Sequence, residues 1–282
     1  MTSTLTIRIA SYSLLITNYI SYTNNLYLLL GKVMIKLTQD TRADDVIDFE
    51  KPKELGDVRA WSYSALKVYE ECAYRTYISR VKGVKEPSGP AADRGTQVHQ
   101  YAEDYVNGTM GEMADELFKF KDEFEALRQD FIDAKVELEG DWGFDINWGV
   151  VGWMEKATWA RIKLDALVQE DETSARVIDY KTGKKWGNEI SHGQQGLLYA
   201  IATFFRYPHL QFVQTEFWYL DKGETTKKQY TRDQAMIFAP GFHRRAVKMT
   251  TEKDFAPTPS KDACRWCSFR KGDEPECTWG VS

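Results

Sequence analysis

The chain has 282 residues, of which 43% are hydrophobic and 28% are charged. This composition excludes a fibrous or intrinsically disordered chain, and the length allows one main domain with a buried core. The formal net charge of -5 does not indicate a nucleic-acid partner. The charge is uneven, however, because residues 219–271 hold twelve bases and six acids, whereas residues 103–145 hold four bases and fourteen acids. A basic face that meets a polyanion would produce this pattern, and so would ordinary solvated helix faces.

The first 33 residues differ from the rest of the chain. Arg8 and Lys32 are the only charged residues among them, and the stretch from Ile9 to Leu30 is long enough to span a bilayer. Serine, threonine and asparagine dilute this stretch, and no small-residue cleavage site follows it. We therefore expect no membrane anchor. The predicted organisation is a doubtful extension over 1–33 with translation starting at Met34, a polar segment over 34–60 and one functional domain over 61–282.

From Trp61 onward the hydrophobic pattern predicts helices, then a small sheet, then helices with one more strand. Ser62 or Ser64 caps the first helix, and Thr96 caps the second. In chain order, the predicted elements are helices from about residue 61, over 94–106 and over 112–133, strands over 136–139, 160–168 and 175–181, a helix over 193–205, a strand over 212–220 and a helix over 240–251. This order indicates an α/β domain.

Two acids and a lysine lie in consecutive predicted strands. The segments 160–168 and 174–181 are joined by a short polar turn, which predicts a β-hairpin. Alternate residues of a strand share a face, so Asp179 and Lys181 point the same way. Asp165 joins them only if it lies opposite an odd-numbered residue of the second strand, because a shift of one residue turns a strand over.

This set of side chains is suited to metal-assisted hydrolysis. Neighbouring carboxylates repel each other unless a cation lies between them, and Mg²⁺ or Mn²⁺ is the natural partner of such oxygen ligands. Phosphodiester hydrolysis needs an activated water and compensation for charge on the phosphate, and a bound metal ion provides both. Lys181 can orient the water or offset the charge. For a lone D-x-K, the alternative is an exposed hairpin with solvated side chains.

The order of these residues resembles the PD-(D/E)xK nuclease superfamily, in particular its RecB-like branch. Asp165 is followed after thirteen residues by Asp179-Tyr-Lys181, the segment ending at His99 resembles the upstream histidine motif, and Gln195-Gly-Leu-Leu-Tyr199 resembles the downstream glutamine-tyrosine motif. The resemblance implies a restriction-endonuclease-like α/β core, in which helices flank a small mixed β-sheet. It also implies roles for individual residues: metal binding by His99, Asp165 and Asp179, catalysis by Lys181, and positioning of the lysine or the DNA by Gln195 and Tyr199. Glu137 or Glu139 is a further candidate carboxylate.

The four cysteines are unevenly spaced. Cys72 stands alone, whereas Cys264, Cys267 and Cys277 cluster near the end, which indicates a metal site rather than disulfides. The set resembles the iron-sulfur nuclease domains of AddB and the CRISPR-associated RecB-like nucleases. The resemblance implies a four-iron four-sulfur (4Fe-4S) cluster that joins the N- and C-terminal segments of the domain. The gap before Cys277 is longer than in those relatives, so zinc on four thiolates is an alternative, as is an incidental set without metal.

These observations predict a divalent-metal-dependent DNA nuclease, namely an exonuclease that acts on DNA ends or single strands in recombination, repair or replication. The sequence contains no Walker motif, so we expect a separate helicase or single-strand annealing protein as a partner. We expect a cytoplasmic location, in the host if the chain is phage-encoded, as the resemblance to phage exonucleases suggests. The alternative is a catalytically inactive scaffold subunit that binds DNA without cutting it. Eight basic residues are candidates for a phosphate-binding rim: Lys184, Lys185, Lys227, Lys228, Arg244, Arg245, Arg265 and Arg270.

Overall fold

The computed structural model describes residues 49–183, 185–270 and 276–281, and the backbone of five short strands within residues 6–37. The chain divides into two compact units, Met1–Asp48 and Phe49–Ser282. The first unit contains two antiparallel sheets, formed by β1 (Thr6–Ile9) with β2 (Tyr12–Leu15), and by β3 (Ile20–Tyr22), β4 (Asn25–Leu30) and β5 (Val33–Leu37). The predicted start at Met34 falls within β5 and stays a prediction. Within the described part of the chain, no helix combines the length and apolar character needed to cross a membrane.

The second unit contains a six-stranded sheet and eight α-helices among its described residues. The strands are β6 (Val136–Phe144), β7 (Val150–Val151), β8 (Ala160–Gln169), β9 (Ser174–Lys181), β10 (Phe212–Tyr219) and β11 (Glu224–Thr231). The helices are α1 (Tyr63–Glu71), α2 (Ala73–Thr76), α3 (Pro90–Val106), α4 (Lys121–Ile132), α5 (Glu189–Arg206), α6 (Arg232–Met236), α7 (Ala239–Thr250) and α8 (Lys261–Arg265). A π-helical turn (Tyr77–Val81) continues α2, and two 3₁₀ turns lie at Asp115–Phe120 and Ser268–Arg270.

The sheet has the strand order β11-β10-β9-β8-β6-β7. Strands β9 and β10 are parallel, and every other neighbouring pair is antiparallel. The helix α5 connects the two parallel strands, as such a connection requires. The predicted fold class, a small mixed sheet flanked by helices, is confirmed.

The even-numbered residues of β8 and β9 form the main core together with α3 and α4. Ile178 and Tyr180 are buried there against apolar side chains of both helices, with Trp218 from β10 beside them. The Phe124 ring lies 5.3 Å from both the Tyr180 and the Trp218 rings. Burial of these large aromatic groups stabilises the hairpin and fixes which face its odd-numbered residues present.

A second aromatic cluster lies under α5 and α7. Trp148 stacks on Phe205 at 5.1 Å, and Trp159 packs edge-on to Trp61 at 5.6 Å. The Trp159 indole N–H donates to Thr250 Oγ1 at 3.1 Å, so its polar atom is satisfied inside the core. This cluster ties the start of β8 to the helices that follow the sheet.

Several element boundaries differ from the sequence prediction. Thr96 does not cap the second helix, because α3 starts at Pro90, and its hydroxyl instead donates to the Ala92 carbonyl. Proline is favoured in the first helical turn, where its missing N–H has no partner to lose. The first helix, predicted from about residue 61, starts at Tyr63 and ends at Glu71, because Cys72 is extended. Ser62 is the observed cap, as predicted.

Candidate active site

The sheet opens around Asp165. Backbone pairing of β8 with β9 runs from Gln169 to Ala166, where Ala166 lies opposite Ile178. The same register places Asp165 opposite the odd-numbered Asp179, which is the condition under which Asp165 shares a face with Asp179 and Lys181. Beyond Ala166 the backbone pairing ends, and the Tyr180 N–H donates to Asp165 Oδ2 at 2.6 Å instead. The carboxylate of Asp165 is thereby fixed in the opening between the two strands.

The other neighbouring strand is also interrupted at this level. In β6, Leu138 pairs with Ala166 and Gly140 pairs with Leu164, which leaves Glu139 opposite Asp165. Glu139 has a φ of 47°, in the left-handed region. That conformation costs a residue with a side chain about 1–3 kcal/mol, and such residues concentrate at functional sites. Glu139 and Asp165 therefore lie side by side where the pairing of β6 with β8 is interrupted.

Three potential metal ligands converge at this opening. One ligand atom each of His99, Glu139 and Asp165 lies within 4.8 Å of the others. His99 extends from α3, and its Nδ1 lies 3.1 Å from Asp165 Oδ1. Lys163 Nζ lies 2.7 Å from Glu139 Oε2. Carboxylates with one imidazole form a donor set suited to Mn²⁺ or Mg²⁺, so these residues fit a divalent ion.

Burial and mutual repulsion disfavour the charged carboxylates in this opening when no cation is present. Burial and repulsion from Asp179 raise the pKa of Asp165, and the hydrogen bond with His99 opposes that rise. Burial disfavours the charged imidazole, but the hydrogen bond and charge of Asp165 outweigh it and raise the pKa of His99. The opening thus holds excess negative charge that a cation would neutralise.

A closed ring of three hydrogen bonds and one ion pair, called here the hydrogen-bond ring, holds the lysine. Lys181 Nζ donates to Gln195 Oε1 at 3.1 Å, Gln195 Nε2 donates to the Tyr199 hydroxyl at 2.7 Å, and that hydroxyl donates to Asp179 Oδ1 at 2.8 Å. Lys181 closes the ring at 2.5 Å from Asp179 Oδ2. That oxygen is buried and accepts no hydrogen bond of good geometry, so it has capacity for a further electrostatic partner.

The close approach of α5 to the sheet makes this ring possible. A Cβ atom at Gly196 would lie 2.9 Å from Thr215 Oγ1 and 3.0 Å from a ring carbon of Phe217. Only glycine allows that approach without a shift of the neighbouring side chains. Because Gly196 follows Gln195 directly, its contact with β10 brings Gln195 and Tyr199 over the odd-numbered face of β9.

The structure brings together all six predicted residues of the site: His99, Asp165, Asp179, Lys181, Gln195 and Tyr199. The convergent group of ligands contains Glu139, however, and not Asp179. Glu137 lies elsewhere, because its carboxylate accepts hydrogen bonds from the Trp142 indole and the Tyr207 hydroxyl, both at 2.7 Å. No sequence signal separates the two glutamates, because the pairing of β6 with β8 is what places Glu139 opposite Asp165.

The four cysteines also lie together. Cys72, Cys264, Cys267 and Cys277 line one small cavity, and all four are free thiols. Burial raises the pKa of the Cys267 thiol, and the nearby Arg75 guanidinium opposes that rise. Arg75 binds Glu86, which also accepts a hydrogen bond from Ser268 at 2.7 Å. Early and late segments of the domain therefore meet at this cavity.

Much of the predicted basic rim is neutralised within the protein. Lys185 lies 3.2 Å from Glu224, Lys227 lies 3.1 Å from the buried Glu216, and Arg245 holds Glu70 at 2.6 Å. Lys184 lies outside the described residues. A cation that already has a carboxylate partner offers less attraction to phosphate.

The chain belongs to the PD-(D/E)XK nuclease superfamily. The model of that family matches residues 60–161 and 120–271, which together cover most of the chain. The acidic candidate metal site of this chain is suited to the divalent metal ions that nucleases of this superfamily use.

Solved structures with a similar course of the chain include SSO0001, which is 18% identical, with 81% of this chain and 90% of that chain covered and a TM-score of 0.46. Another is the alkaline exonuclease LHK-Exo from Laribacter hongkongensis, which is 13% identical, with 68% of this chain and 89% of that chain covered and a TM-score of 0.34. No curated protein matches the chain.

Proposed function

We propose that this protein is a divalent-metal-dependent DNA nuclease, and specifically an exonuclease that acts on DNA ends or single strands in recombination, repair or replication. One observation carries the proposal: His99, Glu139 and Asp165 converge beside a lysine that a closed hydrogen-bond ring holds in place. In the RecB-like branch that the sequence resembles, the positions of His99, Asp165 and Lys181 perform the chemistry. A separate helicase or annealing protein would supply the DNA strand in the cytoplasm.

His99, Glu139 and Asp165 would hold the metal ion, with Asp179 as the adjoining carboxylate. When bound, the ion supplies positive charge to the phosphate and lowers the pKa of water. The hydrogen bond from the Tyr180 N–H orients Asp165, and the Tyr199 hydroxyl orients Asp179. The protein therefore fixes these carboxylates before any ligand arrives, which lowers the cost of reorganisation during the reaction.

Lys181 is the residue that we expect to act on the phosphate or the attacking water. Its ammonium group lies between Gln195 Oε1 and Asp179, and its side chain is only 20% exposed. Each ammonium group has three donors, so one N–H remains for the substrate after these two contacts. That donor can offset charge on a non-bridging phosphate oxygen or hold the water in line.

The test is cleavage of DNA labelled at either end, with anaerobically purified protein and Mn²⁺ or Mg²⁺. We expect Lys181→Ala to abolish cleavage while it still binds DNA, and the labelled products of the wild type give the polarity. Lys121→Ala, which removes an exposed lysine on α4, is the matched control and should cleave like wild type. A wild type that binds DNA but never cuts it with any metal would establish the inactive scaffold instead.

We further propose that the four cysteines hold a 4Fe-4S cluster with a structural role. Tetrahedral zinc, with bonds of about 2.3 Å, would bring its sulfur ligands to about 3.8 Å from one another. Zinc is the alternative for these thiolates, and the proposal of a 4Fe-4S cluster is supported by the resemblance to iron-sulfur nuclease domains and by the cavity that all four cysteines line. Iron and sulfide analysis of anaerobically purified protein tests this. Four iron atoms per chain support the cluster, and stoichiometric zinc without sulfide contradicts it.

A further inference from the structure

A groove beside α1 has no part in the site described above. It has a volume of about 730 Å³, and its walls include Trp61, Thr76, Arg80, Trp153 and Arg161. We call it the α1 groove. It is lined by residues that precede α1, by α1 itself, by the π-helical turn after α2 and by the start of β8. Its floor is therefore continuous with the strand that carries Asp165.

Two arginines in this groove lack an acidic partner. Burial and repulsion from the Arg161 guanidinium lower the pKa of Arg80. Within the described chain, the Arg80 guanidinium makes no hydrogen bond or ion pair. The Arg161 guanidinium lies 5.5 Å from the centre of the Trp153 ring, and its Nε donates to the Trp153 carbonyl at 3.2 Å. In the described residues its two terminal nitrogens have no protein partner. Two like charges held together without a counter-charge favour an anionic ligand.

The acids of the groove do not neutralise this pair. Glu86 is bound by Arg75 through two nitrogens and by the Ser268 hydroxyl. Asp57 also lines the groove, but neither the Arg80 nor the Arg161 guanidinium lies within 4.0 Å of a carboxylate among the described residues. The local charge balance is therefore positive.

The groove wall also contains polar atoms without a partner. Trp61 and Thr76 are each only 1% exposed, and the Trp61 Nε1–H and the Thr76 hydroxyl have no hydrogen-bond partner. A buried donor without a partner costs about 1–3 kcal/mol. Helical threonine usually bonds to a carbonyl of the preceding turn, so the unbonded Thr76 hydroxyl is unusual.

The backbone that carries Arg80 is itself unusual. Arg80 lies in the π-helical turn Tyr77–Val81, and such turns frequently occur at functional sites. Arg161 lies four residues before Asp165 on β8, so both side chains leave the same face of the strand. At about 3.3 Å per residue, the two positions are roughly 13 Å apart. One DNA strand can therefore contact the groove and the metal ligands at the same time.

We propose that the α1 groove binds phosphate groups of the single DNA strand whose cleavage takes place at Asp165. This inference rests on the proposed function, because it assigns part of the path of the same substrate. Arg80 and Arg161 contact the backbone of the strand, and their contacts carry no sequence information, as is general for phosphate contacts.

The experiment measures binding of a labelled single strand of 20 nucleotides as a function of salt, with Lys181→Ala as the parent so that the strand stays intact. Arg80→Gln is the test variant, and Arg80→Lys retains the charge. Lys121→Gln is the matched control for loss of one positive charge. Each phosphate contact contributes about 0.7 to the slope of log affinity against log salt for single strands. Arg80→Gln should therefore lower that slope by about 0.7. If the parent and the variant bind equally at 1 M salt, this change makes the variant bind about fivefold more weakly than the parent at 0.1 M salt.

Arg80→Lys should restore most of the slope, and Lys121→Gln should leave it unchanged. Because Arg80→Gln removes repulsion from Arg161 and no described contact, its Tm should not fall. An unchanged slope in Arg80→Gln, in a protein whose wild type cleaves DNA, would overturn the inference and leave the nuclease intact. A wild type that fails to cleave is a separate result, and it counts against the proposed function.

Discussion

The hydrogen-bond ring around Lys181 makes Tyr199→Phe the most informative substitution. Phenylalanine keeps the ring volume of the buried Tyr199 but removes the hydroxyl, which accepts from Gln195 at 2.7 Å and donates to Asp179 at 2.8 Å. Asp179 then remains buried without that bond, whereas Gln195 is only half-buried. An unsatisfied buried group costs about 1–3 kcal/mol and an ordinary hydrogen bond contributes about 1 kcal/mol, so the losses at Asp179 and Gln195 together should cost roughly 2–4 kcal/mol of unfolding free energy.

For a domain of this size, each kcal/mol shifts the Tm by about 2–4 °C, so Tyr199→Phe should lower it by roughly 4–16 °C. Tyr207→Phe is the control, because its hydroxyl also donates to a carboxylate, Glu137, at 2.7 Å, but Glu137 keeps the Trp142 indole as a donor. That control should cost at most about 1 kcal/mol. Thermal unfolding followed by circular dichroism, with equal cluster content in all samples, provides the comparison.

The same substitution should slow DNA cleavage. Asp179 loses the hydrogen bond from Tyr199, and Lys181 is held by a Gln195 side chain that no longer bonds to Tyr199. A displacement of about 1 Å in a positioned group can cost roughly 100-fold in rate, so we expect a 10- to 100-fold lower kcat at saturating Mn²⁺ with a smaller change in KM. If Tyr199→Phe unfolds within 2 °C of the wild type, the ring does not carry the energy assigned to it and the reasoning fails.

Three further predictions concern the metal ligands, the cysteines and pH. Glu139→Gln should weaken Mn²⁺ binding measured by calorimetry at least about tenfold, whereas Glu137→Gln should leave it within twofold; equal effects would contradict the choice of Glu139. Cys72→Ser should lose most of the bound iron and lower the Tm, and full iron retention would show that Cys72 is not a ligand. Burial opposes ionisation of Glu252, but the Tyr69 hydroxyl at 2.8 Å and backbone N–H groups outweigh it and lower the pKa of Glu252. Its stabilisation is therefore present above the ordinary glutamate pKa of about 4.3 and is lost as pH falls further. Because Glu252 is partly exposed, Glu252→Gln should reduce the loss of unfolding free energy at low pH by less than about 1 kcal/mol. The measurement is the Tm of both proteins between pH 6 and pH 3, and identical pH profiles would refute the prediction.

The hairpin and its residues could be predicted because strand alternation is a local property. The burial of Ile178 and Tyr180 against α3 and α4 fixes the opposite face for Asp179 and Lys181. The order of His99, Gln195 and Tyr199 along the chain supplied the rest of the site.

The choice of Glu139 over Glu137 could not be predicted in the same way. Both residues lie two positions apart on β6, so a regular strand would present them on one face. The left-handed φ of Glu139 separates them, and that conformation arises from the interrupted pairing with β8 rather than from local sequence.

The strand β11 was also missed. Its sequence, Glu224–Thr231, is polar and has no apolar alternation, so pattern alone does not distinguish it from a loop. Backbone pairing with β10 at the sheet edge holds it in place, and Lys227 reaches the buried Glu216 from there. What the sequence presented as a basic region for DNA is partly an internal ion pair.

The central claim is that phosphodiester hydrolysis occurs where β6, β8 and β9 meet. The most direct measurement compares single-turnover cleavage of single-stranded DNA at saturating Mn²⁺ by the wild type, Asp165→Asn and the exposed-residue control Asp122→Asn. We predict a loss of at least about 1000-fold for Asp165→Asn, equivalent to roughly 4 kcal/mol of transition-state stabilisation, and an unchanged rate for Asp122→Asn. Cleavage by Asp165→Asn at the wild-type rate would contradict the account.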